Sequence, residues 1–214
     1  MRTFRPATIT DKREETADSV VLTLAVPRED HDDFRYRHGQ HLPVRAEIDG
    51  KSVRRTYSIC AGAGEQRLKL GVRVQPGGVL SNYLASLEPG DTLEIMPPYG
   101  HFNTALDPDA KKTYAAFVAG SGITPILSIV TTTLETEADS RFVVFYGNRK
   151  RATTMFVEEL WALKNRFRDR LALHFVMSQE PGDIPLYEGR LDAGKLRDLH
   201  TAFLGRTRPD EVFL

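Results

Sequence analysis

The chain has 214 residues, balances 29 basic against 29 acidic residues and is 41% hydrophobic, which suits a globular protein of one large domain or two of ordinary size. That balance excludes the basic excess of a nucleic-acid binder, no run is apolar enough to span a bilayer, and the single cysteine, Cys60, excludes a disulfide framework or an all-cysteine cluster held by this chain alone. The start, Met1-Arg2-Thr3-Phe4-Arg5, lacks the apolar stretch of a signal peptide, so a cytoplasmic protein without membrane or nucleic-acid partners is expected.

Up to about Phe102 the chain reads as short strands separated by turns. Ser19 to Val26 is β-rich and stops at Pro27. Leu42 to Ile48 meets the hairpin signal Asp49-Gly50 and returns as Lys51 to Cys60. Leu68 to Val74 alternates again, Val79 to Leu84 reads as a short helix, Pro89-Gly90-Asp91 as a turn, and Thr92 to Met96 as a closing strand. This rhythm predicts a small antiparallel β-barrel over residues 1–103.

After the polar linker Asn103 to Lys112 the rhythm changes to strand–helix–strand. Tyr114 to Ala119 is a continuous apolar strand. Ile126, Leu127, Val130 and Leu134 share a helix face, and Phe142 to Tyr146 is the next strand. Phe156, Leu160, Leu163 and Phe167 recur at helical spacing. Leu171 to Met177 is a third strand, Leu191 to Leu204 a further helix, and Glu211 to Leu214 a fourth strand. The alternation predicts a doubly wound parallel α/β sheet over residues 112–214.

Three segments carry chemistry. Arg55 and Tyr57 in Arg55-Thr56-Tyr57-Ser58 share one side of a strand. The guanidinium suits a phosphate, the ring suits a planar isoalloxazine, and Ser58 offers a hydroxyl or N–H to a flavin nitrogen. Taken alone, the segment reads as an exposed Arg–Tyr pair on a barrel strand. Gly77-Gly78 changes that weighting, because paired glycines let backbone approach an anion and the helix from Val79 through Leu80 and Ser81 opens beside it. A tight turn capping a surface helix is the alternative. Gly120-Ser121-Gly122-Ile123-Thr124-Pro125 follows a parallel strand directly, where α/β sheets bind dinucleotides, although it is not the G-x-G-x-x-G fingerprint. The second strand ends in Asn148, Arg149, Lys150 and Arg151, with no acidic residue for a ribose 2′-hydroxyl, which leans towards NADPH. A solvated charge run is the alternative there. Ser178-Gln179 ends the third strand on the same edge. His38 and His41 read as a turn rather than a metal site, and Cys60 as packing.

In this order and spacing the chain resembles the ferredoxin–NADP⁺ reductase family over its full length. Arg55 to Ser58 matches its R-x-Y-S flavin motif, Gly78 to Ser81 its phosphate motif, Pro97 to Phe102 its closing strand, and Gly120 to Pro125 with Tyr146 to Arg149 its nicotinamide-nucleotide motifs. Phe145 to Leu160 and Asp183 to Ala193 bring it nearest to the reductases of phenylacetyl-CoA epoxidase (oxygenase) systems. The resemblance implies an FAD-dependent NAD(P)H oxidoreductase that passes electrons towards a [2Fe–2S] centre and an oxygenase. It implies FAD held by Arg55, Tyr57, Ser58, the Val72-Arg73-Val74 backbone and Gly78, Val79, Leu80 and Ser81. The nucleotide would be held by Gly120, Gly122, Ile123, Thr124, Pro125, Asn148, Arg149, Ser178 and Gln179, with Arg190 nearby. Tyr57, Ser58 and Thr124 would lie at the reacting rings. Gln179 stands where the family often has an arginine on the 2′-phosphate, which leaves NADH open beside NADPH. The family continues past Val212-Phe213-Leu214 into a Cys-Gly-Pro segment and, in these reductases, an iron–sulfur domain. A truncated chain is therefore expected, with the [2Fe–2S] centre in the absent part. The rival readings are a reductase for a steroid or aromatic-ring hydroxylase and a non-catalytic flavin-binding module.

Overall fold

The computed structural model describes residues 3–214; Met1 and Arg2 of the expected barrel lie outside the described residues. Two compact units result. One runs to Thr104 and includes Leu127–Thr132; the other takes Ala105–Ile126 and Thr133–Leu214.

The first unit holds β1 (Arg5–Thr16), β2 (Ser19–Ala25), β3 (His41–Ile48), β4 (Lys51–Ser58), β5 (Leu68–Arg73), α1 (Val79–Ser86) and β6 (Thr92–Ile95). Its six strands are antiparallel in the order β4-β3-β6-β1-β2-β5. An antiparallel bridge from Ile59 to Leu70 joins the chain leaving β4 to β5, so the sheet closes on itself as a barrel. Closure removes the two edges an open sheet would expose. Asp49 and Gly50 both adopt positive φ, 50° and 69°, as the two-residue hairpin turn requires. Leu22, Leu42, Val44, Leu70, Val72, Leu84 and Ile95 are fully buried and fill the barrel.

β1 is the element that the sequence pattern does not single out. Its first residues pair with β6 and the rest with β2, through two register shifts. Only Ala7 and Ile9 are buried, while Asp11 to Glu15 is a charged run without apolar alternation, in which Asp11, Arg13 and Glu14 are exposed.

The second unit holds β7 (Thr113–Ala119), the two ends of α2 (Ile123–Thr136), β8 (Arg141–Asn148), α3 (Val157–Phe167), β9 (Leu171–Met177), α4 (Ala193–Leu199) and β10 (Glu211–Phe213). All pairings in its sheet are parallel, in the order β10-β7-β8-β9. β10 lies beside β7, as the family order implies. Phe156 differs from its expected place on the α3 face: its ring is buried, but its backbone is left-handed at φ 60° and precedes the helix. The expected last helix is α4 followed by a π-helical turn, His200–Leu204, that ends at Gly205.

Two polar side chains are drawn into this unit's packing, Glu137 and the partly buried His174. Glu137 is fully buried and accepts the Tyr114 hydroxyl on both carboxylate oxygens, at 3.0 and 2.9 Å, and the Asp107 N–H at 3.1 Å. These bonds tie the expected linker to the sheet. On β9, the His174 ring lies 3.8 Å from that of Phe203, 5.0 Å from Phe145 and 5.9 Å from Tyr187, with Nδ1 2.9 Å from the Tyr187 hydroxyl.

Burial holds His174 neutral and lowers its pKa to about 4. The unfolded chain binds a proton at about pH 6.5 that the folded chain refuses. His174 therefore subtracts stability as pH falls from about 6.5 to about 4. We expect His174→Phe, which keeps a ring in the stack, to flatten the stability–pH profile over that window. Urea denaturation at a series of pH values checks this, and superimposable slopes for both proteins would refute it.

Candidate functional site

In the first unit, β4 carries the expected flavin residues. Arg55, opposite Val44, is exposed; Tyr57, opposite Leu42, is half-buried; Ser58 ends the strand opposite His41. Burial raises the Tyr57 pKa, and the nearby Arg55 cation works against that rise. The phenol thus stays protonated, a ring with one O–H to donate. Among the described residues Arg55 has no carboxylate partner, and its one hydrogen bond runs to the neighbouring Arg54 carbonyl at 2.6 Å. An unpaired guanidinium two residues from a partly buried ring fits a phosphate next to an aromatic ring system.

β5 offers less backbone than its sequence implies. The Val74 N–H goes to the Asp18 carbonyl at 2.8 Å. Bonding direction alternates along an antiparallel ladder, so Val72 also faces β2, and only Arg73 turns its N–H and carbonyl away. The Arg73 guanidinium is ion-paired with Asp18.

The Gly77-Gly78 turn has an internal explanation as well as a ligand-directed one. Gln75 to Gly78 is a tight turn, with Pro76 second, Gly77 third at φ 71°, and the Gly78 N–H 2.9 Å from the Gln75 carbonyl. Ser81 Oγ accepts the Gln75 N–H at 3.2 Å and donates to the Gly78 carbonyl at 3.4 Å. The Ser81 hydroxyl therefore braces the turn. What remains for an anion is the N-terminus of α1, whose Gly78 cap supplies no side-chain acceptor, so the Val79, Leu80 and Ser81 N–H groups lack a capping oxygen.

In the second unit, Gly120 has φ 54°, and a Cβ there would meet nothing within 4 Å. The backbone is thus open to close approach. Gly122 has a packing reason, because its Cβ would stand 3.0 Å from Val118 Cγ2. The Tyr146 hydroxyl holds the Gly120 carbonyl at 3.0 Å, and Thr124 Oγ1 bonds the Ser121 carbonyl at 3.0 Å. Ile123 is buried and Pro125 sits in the first turn of α2. Asn148 ends β8, and its carbonyl accepts the Ser178 N–H at 2.8 Å; the Arg149 carbonyl accepts the Gln179 N–H at 2.9 Å. These bonds carry the ladder past β8 and β9 and hold the four residues together. Asn148 is 8% exposed, and its Nδ2 has no hydrogen-bond partner among the described residues. A buried orphan donor at the carboxyl edge of a parallel sheet suits a polar ligand atom. Arg149 and Gln179 are exposed, as is Arg190. Among the described residues no His, Cys, Asp and Glu group could hold a metal. His38 is buried, His41 meets the Tyr99 ring edge-on, and Cys60 is buried with Sγ 3.3 Å from the Lys69 carbonyl.

Residues 6–104 match the oxidoreductase FAD-binding domain, and residues 117–210 the oxidoreductase NAD-binding domain. The whole chain is 40% identical to one of the subunits of the 1,2-phenylacetyl-CoA epoxidase of Escherichia coli K12 and spans 60% of that protein. Over 75% of its length it is 39% identical to the ferredoxin reductase component of 3-ketosteroid-9-alpha-monooxygenase of Rhodococcus rhodochrous, spanning 45% of it. In fold it matches a ferredoxin NADP⁺ reductase of Neisseria gonorrhoeae (TM-score 0.78, 18% identity, 98% of this chain and 82% of that one). It also matches the cytochrome b5 reductase domain of Ulva prolifera nitrate reductase (TM-score 0.81, 22% identity, 99% and 86%). No described helix is long and apolar enough to cross a membrane.

A Cβ at Gly78 would stand 2.6 Å from Ser81 Oγ and 3.0 Å from Gln75 Cβ. We expect Gly78→Ala to displace the turn and destabilise the first unit by about 1–3 kcal/mol, the usual cost of overpacking. Removing the opposing hydroxyl in Gly78→Ala/Ser81→Ala should return part of that loss, giving a non-additive cycle in thermal denaturation. Strict additivity would show that the two residues do not meet.

Proposed function

The chain belongs to the FAD- and NAD-binding oxidoreductases, and from that premise we propose that it is the electron-entry part of an oxygenase reductase. In this reading it takes hydride from NADPH and sends electrons through FAD towards a [2Fe–2S] centre and an oxygenase of the phenylacetyl-CoA epoxidase type. The observation that carries the reading is the 40% identity to the Escherichia coli epoxidase protein, which covers the whole of this chain. A reductase for a steroid hydroxylase is the second reading, favoured by the likeness to the Rhodococcus component. A binding module without turnover is disfavoured by the open Gly120 turn and the orphan Asn148 amide.

FAD, where bound, would supply the conversion between a two-electron hydride donor and a one-electron acceptor. The chain's own residues bind and orient. Arg55 neutralises phosphate charge, the N-terminus of α1 donates N–H groups to the pyrophosphate, Tyr57 stacks, and Ser58 donates to the ring edge. Gly120, Gly122, Ile123, Thr124 and Pro125 shape the nicotinamide end, and Asn148, Arg149, Ser178 and Gln179 the adenosine end. No side chain need move a proton, because hydride transfer depends on proximity and alignment. Arg149 draws a 2′-phosphate electrostatically. Gln179, neutral and exposed, adds no charge, so discrimination against NADH is modest.

The purified protein should carry FAD, seen as a yellow chromophore released on denaturation. Arg55→Ala should weaken FAD binding more than Tyr57→Phe does. Losing a charge-assisted contact costs about 1.5–3 kcal/mol, whereas phenylalanine still stacks. Fluorescence titration of the apoprotein gives both affinities, and the reverse order would refute the assignment.

With ferricyanide as acceptor, kcat/KM should favour NADPH over NADH by less than the family's arginine-bearing members achieve. Gln179→Arg should widen that ratio. An unchanged ratio would remove Gln179 from the 2′-phosphate site, and a clear NADH preference would overturn the coenzyme reading.

A further inference from the structure

The β1–β2 hairpin carries none of the motifs above, yet its tip is tied to the strand that leads into the Gly77-Gly78 turn. Asp18 makes the tie twice. Its carboxylate is ion-paired with the Arg73 guanidinium, and its backbone carbonyl accepts the Val74 N–H at 2.8 Å. The Thr16 hydroxyl donates to the same carboxylate at 2.8 Å. Side chain and main chain of one residue thus hold two successive residues of the chain leaving β5.

The hairpin itself does not call for this carboxylate. Thr16 pairs with Ser19 across a turn of two residues, Ala17 and Asp18, neither of which has positive φ. The ion pair answers a need of β5 instead. The Arg73 side chain is only 13% exposed, and a cation drawn that far from water needs a partner. Burial alone would raise the Asp18 pKa, but the hydrogen bonds from Arg73 and Thr16 outweigh it and hold the carboxyl below the usual carboxylate range.

The next residue, Gln75, passes the tie on. Its N–H donates to Ser81 Oγ at 3.2 Å, and its carbonyl accepts the Gly78 N–H and the Asn82 side-chain amide, both at 2.9 Å. Gln75 therefore joins β5 to the first turn of α1, where the N–H groups lack a capping oxygen. Gln75, Pro76 and Gly77 are exposed, and a Cβ on Gly77 would meet nothing within 4 Å, so little packing holds the turn from outside. Its position is set from the strand side, through Arg73 and Val74.

We propose that Asp18 is a positioning residue for the cofactor phosphate: it fixes Arg73 and Val74 against the β1–β2 hairpin and so sets where the N-terminus of α1 meets the pyrophosphate of FAD. The proposal rests on the reading of the chain as an FAD-dependent reductase and adds a residue outside its motifs. Asp18 acts through Arg73 and Val74 and is not counted among the residues that touch the ligand. Without the ion pair the turn is in place for only part of the time, and the apparent affinity for FAD falls with that fraction.

The test compares the full chain with Asp18→Asn, both freed of FAD, by amide hydrogen exchange and by fluorescence titration with FAD. Asparagine keeps the size of the side chain and the backbone carbonyl and removes the charge. Exchange should quicken over residues 74–82 and stay unchanged over β3 and β4. FAD affinity should fall about tenfold, the effect of a turn in place about a tenth of the time. Asp18→Glu, which restores the charge, should recover most of both. Because Asp18 acts through Arg73, adding Asp18→Asn to Arg73→Gln should cost no further affinity. Wild-type FAD affinity in Asp18→Asn, exchange that is unchanged over 74–82 or quickens throughout the barrel, or additive losses in the double variant overturns the positioning role and leaves the flavin reading standing. A wild-type chain that takes up no FAD overturns the flavin reading and the positioning role with it.

Discussion

Parallel pairing of β7, β8 and β9 is the constraint on which the nucleotide half depends. Strands that run the same way all end at the same edge, and the in-register pairs Ala119↔Gly147 and Asn148↔Met177 bring the three ends level. Gly120 to Pro125, Asn148 to Arg151, and Ser178 with Gln179 are therefore neighbours in space although 58 residues separate the first from the last of the three. The bonds from Ser178 to Asn148 and from Gln179 to Arg149 extend that order into the loops, where a ligand would be read. The same constraint requires strands covered on both faces. Tyr114 stacks on Phe142 and Phe117 on Phe145 across adjacent strands, which is why these segments are apolar at consecutive positions rather than at alternate ones.

The barrel follows a different rule, and its sequence shows it. Each strand has one inward face, so β3 buries Leu42, Val44 and Ala46 while the residues between them are only partly covered. On β4, Val53, Arg55 and Tyr57 share a side; Val53 and Tyr57 pack partly against the core, and Arg55 does not. That arrangement anchors the tyrosine ring at its base and leaves the guanidinium free to meet an anion. Burial raises the tyrosine's pKa, so the ring carries a hydroxyl rather than a phenolate.

Most of the elements were legible in the sequence because their apolar residues repeat with the period of the element they form. Val20, Leu22 and Leu24, or Leu160, Leu163 and Phe167, admit one reading each. β1 was not legible, because a strand shared between two neighbours tolerates a charged outer run. The left-handed backbone of Phe156 was also hidden, since nothing in a phenylalanine announces positive φ. The candidate flavin and nucleotide residues were legible only through motif order, and the motifs did not show how many of their atoms are already engaged. Ser81 and Val74 look in sequence like ligand groups, yet Ser81 Oγ braces its own turn and the Val74 N–H completes a ladder. The Asp18 tie gave no signal at all, because Ala17-Asp18 reads as an ordinary turn between strands, and its pairing with Arg73 exists only once β2 and β5 have paired.

What the two candidate sites share is the kind of group left over after folding has taken its share. Each keeps backbone or amide donors without acceptors: the first N–H groups of α1 in the barrel unit, and the Asn148 amide in the sheet unit. Each places a cation where no carboxylate among the described residues answers it, Arg55 in one and Arg149 in the other. Orphan donors cost stability when buried, and unpaired cations add nothing to it, so neither is explained by the fold alone. Both become favourable against a bound anion with polar edges, and a dinucleotide cofactor has that character at its pyrophosphate and its rings. In the proposed reading the residues of each unit would grip and align a bound group, and the electron transfer would be the chemistry of the groups held.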